Sequence, residues 1–399
     1  MNNKTQNKKA IIVGCGVAGP SLAIMLKHIG IDSEIYESEK NTSDFGILSF
    51  TPNAVRSVKT LGIHDMLKAD PSPNVYFYKH NGKKIKMPDM ITELKKANVD
   101  KGMMLRRSHV IQTLSQKAIQ GGIPIHFEKR LVDILEESDQ VVAIFSDGTQ
   151  AKGDFLIGCD GPFSNTRKIV MPEVASPTYS GRIWIGVDAG TLVQHNRPPN
   201  AFHMTFGKKV YSGTLVFSDK KTIWWTNVPC SSDKLREFKA LSPEDLTKRL
   251  LELHKDDHKL ISEFIKSTKN KHIRIPLYVI PHLDTWHKNR VCLIGDAAHA
   301  TSPFIGQGAA MAMEDAIILA KCLRDISDLN NAFAKFEKLR KERVEKIVKT
   351  SEQSGKFMTS INPIGKLFRR TLLPYLMKSY AKRLDWIFSY EIDWDEKIK

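Results

Sequence analysis

Cysteine is scarce in this 399-residue chain: Cys15, Cys159, Cys230, Cys292 and Cys322 are odd in number, widely scattered, and form no Cys-x-x-Cys pair. That excludes a zinc ribbon and a disulfide framework, and a reducing cytoplasm is the simplest setting. Internal repeats and low-complexity tracts are missing, so a solenoid is excluded too. Acidic residues are outnumbered, 44 against 60 Lys and Arg. The resulting net charge of +16 favours anionic partners without choosing among nucleic acid, anionic lipid and phosphate-bearing cofactors. No RNA- or DNA-reading motif is present, so nucleic acid is not an expected partner. Long apolar runs are few. Ala10–Leu26 has 17 residues without a charge behind Lys4, Lys8 and Lys9, in the manner of a signal peptide. It nevertheless carries Gly14, Gly16, Gly19 and Pro20, precedes no Ala-x-Ala-like cleavage site, and falls short of the ~20 residues that cross a bilayer.

What is present is a soluble globular composition, 41% apolar and 26% charged. At roughly 150 residues per domain the length suggests two to three domains. Short buried strands are predicted at Lys9–Val13, Ser33–Tyr36, Pro124–Phe127, Leu131–Glu136, Val141–Ser146, Phe155–Cys159 and Arg290–Ile294. Helices are predicted at Ala18–His28, Leu235–His254, Lys259–Ile265, Gly308–Leu323 and Ala332–Lys349. Two more follow Thr51-Pro52 (with Val55, Val58 and Leu61 on one face and Gly62 as the stop) and a Ser108 cap. From Arg182 to Val228 the pattern changes to longer alternating runs, Ala201–Phe206, Val210–Phe217 and Thr222–Asn227, as in an antiparallel sheet with its own face to bury. The fold class is therefore α/β: a Rossmann-like nucleotide-binding domain interrupted by a mainly antiparallel β-sheet domain, with C-terminal helices. The expected boundaries give 1–74, 101–178 and 286–350 to the nucleotide-binding domain. The sheet domain takes 75–100 and 179–285, and the C-terminal helical segment 351–399.

Three segments carry chemistry. Gly14-Cys15-Gly16-Val17-Ala18-Gly19 is a G-x-G-x-x-G between a strand and a helix. Gly14 permits the tight turn, Gly16 lets the backbone approach a pyrophosphate, and Gly19 allows close helix–strand packing. The N–H groups at Val17 and Ala18 open the helix toward the phosphates. Glu37 ends the second strand 18 residues after Gly19, where a ribose-binding acid is expected. An acid there suits an unphosphorylated ribose, as in FAD or NAD. The second segment, Gly295-Asp296-Ala297-Ala298-His299, ends a strand and runs through Pro303, Gly306, Gln307 and Gly308 into a helix. Asp296 is placed to accept hydrogen bonds from sugar-alcohol hydroxyls, and that helix start to face a ring that becomes anionic on reduction. The third, Asp160-Gly161-Pro162-Phe163-Ser164-Asn165-Thr166-Arg167, is on its own a turn.

Together, in this order and spacing, the three segments resemble the single-component (class A) FAD-dependent aromatic hydroxylases, a family with tetracycline-inactivating and salicylate-hydroxylase-like members. The likeness covers nearly the whole chain, including Met313-Glu314-Asp315-Ala316 and Leu384–Tyr390. The resemblance implies FAD as cofactor, NADPH or NADH as transient co-substrate, and O2 and an aromatic small molecule as partners. It makes the sheet domain the substrate domain. It assigns Gly14, Gly16, Val17, Ala18, Gly19 and Glu37 to the ADP half of FAD, and Arg107, with Arg106 a near-equal candidate, to an FAD-contacting arginine. It gives Asp296 the ribityl chain, sets Pro303, Gly306, Gln307 and Gly308 beside the isoalloxazine, and links Asp160 to both nucleotides. The implied reaction is oxygen insertion through a flavin C4a-hydroperoxide into an aromatic or polycyclic molecule, with a tetracycline-type antibiotic among the candidates. The alternative is an FAD-dependent reductase or dehydrogenase without oxygen insertion. One departure stands out: where many members carry a basic residue soon after the ribose acid, Ser38–Phe45 has only Lys40.

No catalytic base is evident, and His299 is a candidate whose family role is structural. His254-x-x-x-His258 has helical metal spacing but no third ligand, so no metal is expected. Trp184, Phe202, Met204, Phe206, Trp224 and Trp225 read as sheet core on one face and as aromatic pocket lining on the other. Lys366–Leu384 interleaves basic and apolar residues, as an interfacial helix does, but Pro374 interrupts it and membrane contact is not expected. The expected state is a monomer or weak dimer.

Overall fold

Lys9–Val13 is almost wholly apolar because it runs through the middle of a six-stranded sheet, buried on both sides. The computed structural model describes residues 8–40, 46–67, 69–71, 74–85, 102–268, 271–359 and 384–398. In that sheet the order is His287–Lys288, Val291–Leu293, Phe155–Gly158, Lys9–Val13, Asp32–Tyr36 and Ile125–His126. All pairs are parallel except the terminal hairpin His287–Lys288 with Val291–Leu293. Helices Ala18–His28 and Gly308–Asp325 pack on one another within the same hydrophobic core.

The second sheet has seven strands, ordered Ile273–Val279, Thr178–Gly190, Thr222–Pro229, Tyr211–Val216, Ala201–Phe206, Asn74–Lys79 and Lys84–Ile85. Only Asn74–Lys79 with Ala201–Phe206 is parallel. Its back face buries Ile183, Ile185, Val187, Trp224 and Val228 against helices Pro243–Leu253 and Lys259–Ser267. Its front face packs toward Met104 and Ile47, which belong to a short antiparallel sheet lying beside the nucleotide-binding half. A third small sheet, Leu131–Glu136, Val141–Phe145 and Gln150–Gly153, flanks the first.

Several local expectations change. The helix expected over Leu235–His254 is two, Leu235–Ala240 and Pro243–Leu253. Pro243 has no N–H to continue a helix, and Ser242 Oγ accepts the Asp245 N–H at 3.0 Å to start a new one. Ser108 is not a cap: the helix begins at Arg107, and the extended Arg106 precedes it. Thr51 stands at the N-cap with Pro52 first in the helix, but its hydroxyl donates to Asn53 Oδ1 rather than capping. The last long helix runs unbroken from Leu329 to Thr359, through the boundary expected at 350. His254 and His258 part company: His254 is buried against Asp257 and Thr226, while His258 caps the next helix. Residues 366–383 of the basic–apolar stretch lie outside the described residues. No described helix is long and apolar enough to cross a membrane.

Candidate active site

The fingerprint turn is shaped by three different glycine requirements. Gly14 has φ +108°, donates its N–H to Tyr36 O at 2.8 Å, and sits so close to Cys159 that a Cβ would lie 2.4 Å from that carbonyl oxygen. A Cβ on Gly19 would lie 2.0 Å from Gly14 O, so helix and turn touch backbone to backbone. Gly16 meets nothing within 4 Å, and it and Val17 remain open to solvent while Ala18 and Gly19 are buried. An open backbone cradle at a helix start is what a pyrophosphate needs. Glu37 arrives from the neighbouring strand, its Oε2 accepting the Cys15 N–H at 2.7 Å and its Oε1 the Glu39 N–H at 2.9 Å. Burial pushes the Cys15 thiol up to about 11, which keeps it unreactive.

The second motif meets the first directly. Gly295 has φ +60°, and a Cβ there would stand 3.1 Å from Ala18 Cβ, on the fingerprint helix. Asp296 follows, reached by solvent yet walled by protein, as on the floor of a cleft. Desolvation pushes its carboxyl upward, while the charges of His299 and Arg107 pull it back. Its oxygens accept no hydrogen bond among the described residues, and a Cβ on Gly308, at the start of the helix Gly308–Asp325, would lie 4.0 Å from its Oδ1. Gly306 has φ +65° and faces Ser49 O, and Pro303 is exposed on the turn before it.

The Asp-Gly turn organises the same region. Asp160 Oδ1 accepts from Ser164 Oγ at 2.5 Å, and its Oδ2 accepts from the Thr166 N–H and hydroxyl. Burial raises this carboxyl despite those bonds. Arg167, 2% exposed, donates to Ala297 O at 2.6 Å and Pro162 O at 2.7 Å, pinning the turn to the Gly-Asp-Ala-Ala-His segment.

A buried polar lattice behind the cleft has no counterpart in the sequence reading, although Glu314 and Asp315 lie in a segment already singled out. Asn53 Nδ2 donates to Gln307 Oε1 and Glu314 Oε1, and Gln307 Nε2 donates to Thr51 Oγ1. The fully buried Arg340 bridges Glu314 and Asp315, each at 2.8 Å, and Arg343 adds a second cation on Glu314. Burial alone would raise both carboxyls, but Arg340 with Arg343 at Glu314, and His299 with Arg340 at Asp315, hold them below the usual range. Asp315 also takes the Gly295 N–H at 3.0 Å and His299 Nε2 at 2.5 Å. His299 is 4% exposed and packs on Trp286, so it braces the motif rather than facing the cleft. Gln307 is fully buried, its side-chain amide spent on Asn53 and Thr51 and its carbonyl on the Met311 N–H, so it supports the loop from beneath rather than facing a cofactor.

The structure separates the two arginines because Arg106 ends a strand and Arg107 begins a helix, so they point apart. Arg107 faces Gly46 and Asp296. Arg106 pairs with Asp188 on the seven-stranded sheet and lies 5.0 Å over the Phe217 ring. Alternation divides the aromatics likewise. Trp224 belongs to the back core, while Trp184, Phe202, Met204 and Trp225 line the front face. Phe206 stands beside Phe77 at the far end.

The family profile described as an FAD binding domain matches residues 7–351. The FAD-dependent urate hydroxylase of Klebsiella oxytoca is 29% identical over 345 residues, covering 85% of this chain and 88% of its own. The 6-hydroxynicotinate 3-monooxygenase of Pseudomonas fluorescens is 27% identical over 383 residues, with 90% and 94% covered. Among solved structures, Klebsiella pneumoniae HpxO complexed with FAD and uric acid superposes with a TM-score of 0.79 at 24% identity, over 96% of this chain and 94% of that one. Tetracycline destructase Tet(55) gives 0.78 at 19% identity, over 98% and 99%. The open cradle at Gly16, the unused Asp296 carboxylate and the Arg107 guanidinium between them fit a flavin dinucleotide. The chain belongs to the FAD-binding-domain family of FAD-dependent monooxygenases, and FAD is its cofactor.

Proposed function

We propose that this protein is an FAD-dependent monooxygenase that consumes NAD(P)H and O2 to hydroxylate a planar aromatic or polycyclic small molecule. The observation that carries this is one chain of contacts: Gly295 lies against Ala18 of the fingerprint helix, Asp296 beside it feels the charge of Arg107, and Arg107 follows the strand whose Met104 packs on the front face of the seven-stranded sheet. FAD, when bound, supplies hydride acceptance from NAD(P)H and activation of O2. The chain's own residues do the rest. Gly14, Gly16, Val17, Ala18 and Gly19 present backbone to the pyrophosphate, and Glu37 keeps lone pairs for ribose hydroxyls. Asp296 accepts from the ribityl hydroxyls. Pro303, Gly306 and Gly308 border the ring with backbone groups, Gln307 holds that loop from beneath, and the N-terminus of Gly308–Asp325 favours negative charge there. Arg107 offers a cation to the cofactor; Arg106 holds the sheet through Asp188. Asp160 acts by shaping its turn, and His299 by bracing the Asp296 loop. The aromatic front face excludes water, which would otherwise divert reduced cofactor and O2 into hydrogen peroxide.

Purified protein is expected to be yellow, to release FAD on denaturation, and to oxidise NADH or NADPH faster with substrate present. Mass spectrometry decides the reaction type. A product heavier by one oxygen supports this reading; a change of two hydrogens without added oxygen replaces it with a reductase or dehydrogenase.

A further inference from the structure

Strand register lays out the front face of the seven-stranded sheet as a grid. One row across the strands is Trp184, Asn227, Tyr211, Phe206 and Lys79; the next is Gly186, Trp225, Gly213, Met204 and Phe77. Both glycines are occupied by their neighbours' rings. A Cβ on Gly186 would meet the Trp184 indole at 2.2 Å, and one on Gly213 would meet the Trp225 indole at 2.4 Å. The indoles therefore lie down on the sheet instead of standing off it. Their planes differ by only 19° with centroids 6.3 Å apart, a stacked pair that turns its apolar faces in one shared orientation. Phe202 meets Trp225 edge-on at 6.0 Å and closes one side.

Asn227 stands between Trp184 and Tyr211 on the same face. It is 3% exposed, and its Oδ1 has no hydrogen-bond partner among the described residues. A buried carboxamide left unpaired is costly unless something supplies the missing bond. Whichever way the amide is turned, it offers an acceptor beside a donor. Among the described residues, the cations beside this face are engaged, Arg106 with Asp188, Arg182 with Glu352 and Thr359, and Arg107 with the charge of Asp296. Lys79 is three strands from Asn227, about 14 Å at the usual strand spacing.

We propose that Trp184, Trp225 and Asn227 determine specificity, selecting an uncharged, planar fused-ring substrate that carries a lactam-type N–H beside its carbonyl. The ring system rests on the two indoles, and its polar edge pairs with the Asn227 carboxamide, N–H to acceptor and carbonyl to donor. This inference rests on the monooxygenase reading of the same cleft, and it sets the substrate apart from carboxylate-bearing aromatics, which need an unpaired cation.

The test is equilibrium dialysis of the FAD-loaded protein against 2-quinolone, 1-methyl-2-quinolone and quinoline-2-carboxylate. 2-Quinolone is expected to bind about tenfold more tightly than its N-methyl derivative, with the carboxylate weakest. Asn227→Leu is expected to erase the lactam preference, weakening 2-quinolone more than its N-methyl derivative, while FAD content stays unchanged. Equal binding of the two quinolones by the unaltered protein, tightest binding of the carboxylate, or binding of none overturns the inference without needing any variant to fold. A protein that takes up no FAD, or inserts no oxygen into any substrate, defeats the monooxygenase reading instead, and the dialysis ranking is read independently of that result.

Discussion

The two sides of the cleft are built on different principles. The cofactor side uses backbone from short contiguous segments: the turn at Gly14–Gly19, the turn at Asp160–Arg167 and the loop at Gly295–Gly308, pinned together by Arg167, Asp315 and Arg340. The substrate side uses side chains from five strands spread between Asn74 and Pro229, and only sheet register makes them neighbours. Backbone recognition demands particular conformations and glycines, so it leaves a recurring sequence pattern. Side-chain recognition demands only that a face be presented, and many sequences do that.

Breaking the cofactor side at its brace has the largest expected effect. Arg340→Met leaves Glu314 and Asp315 buried beside one another without their shared cation, which should cost about 3–5 kcal/mol in urea unfolding. Gly19→Val drives a side chain into Gly14 O and should lower stability by about 3 kcal/mol, with loss of the flavin absorbance from the purified protein. Asp296→Asn is gentler on the fold: FAD affinity, followed by flavin fluorescence, should fall by about 1.5–3 kcal/mol, the worth of a hydrogen bond to a charged group. The sign of its pH dependence follows from burial. Because the Asp296 carboxyl is raised, its ionised form is lost earlier than usual as pH falls, so FAD should dissociate in mild acid from the native protein and less steeply from the variant. In the cofactor-free protein the same shift works the other way, favouring the fold below the ordinary carboxylate value and losing that contribution as pH rises through the raised one.

The substrate side sharpens the contrast. Gly213→Ala places a methyl group where Trp225 lies and should cost about 1–3 kcal/mol, tilting the indole off the sheet. Substrate binding should weaken while the FAD content stays at the native level. If FAD is lost as well, the two sides are not independent.

Much of the fold was legible on both sides. The strands Leu131–Glu136 and Ala201–Phe206 and the helix Ala18–His28 appear at the expected residues, because period and turn chemistry are local. The paired histidines at 254 and 258 mislead, because spacing along a helix says nothing when the helix ends between them. Choosing between Arg106 and Arg107 requires knowing which side of the strand end faces which sheet. Asn53, Arg340 and Arg343 carry no recognisable spacing, since their partners lie far away in the chain. Gly186 and Gly213 did leave a faint signal: an isolated glycine within a strand often marks something lying close above it.

By itself the sequence determined the α/β class, the interrupted architecture and the nucleotide cradle, because glycine conformations and hydrophobic periods are properties of a few adjacent residues. Tertiary structure alone decided which arginine turns to Asp296, why a buried Asp315 can stay ionised, and that two stacked tryptophans stand beside an unpaired asparagine. Those outcomes depend on register, burial and charge pairing between separate segments of the chain, where no local pattern constrains them.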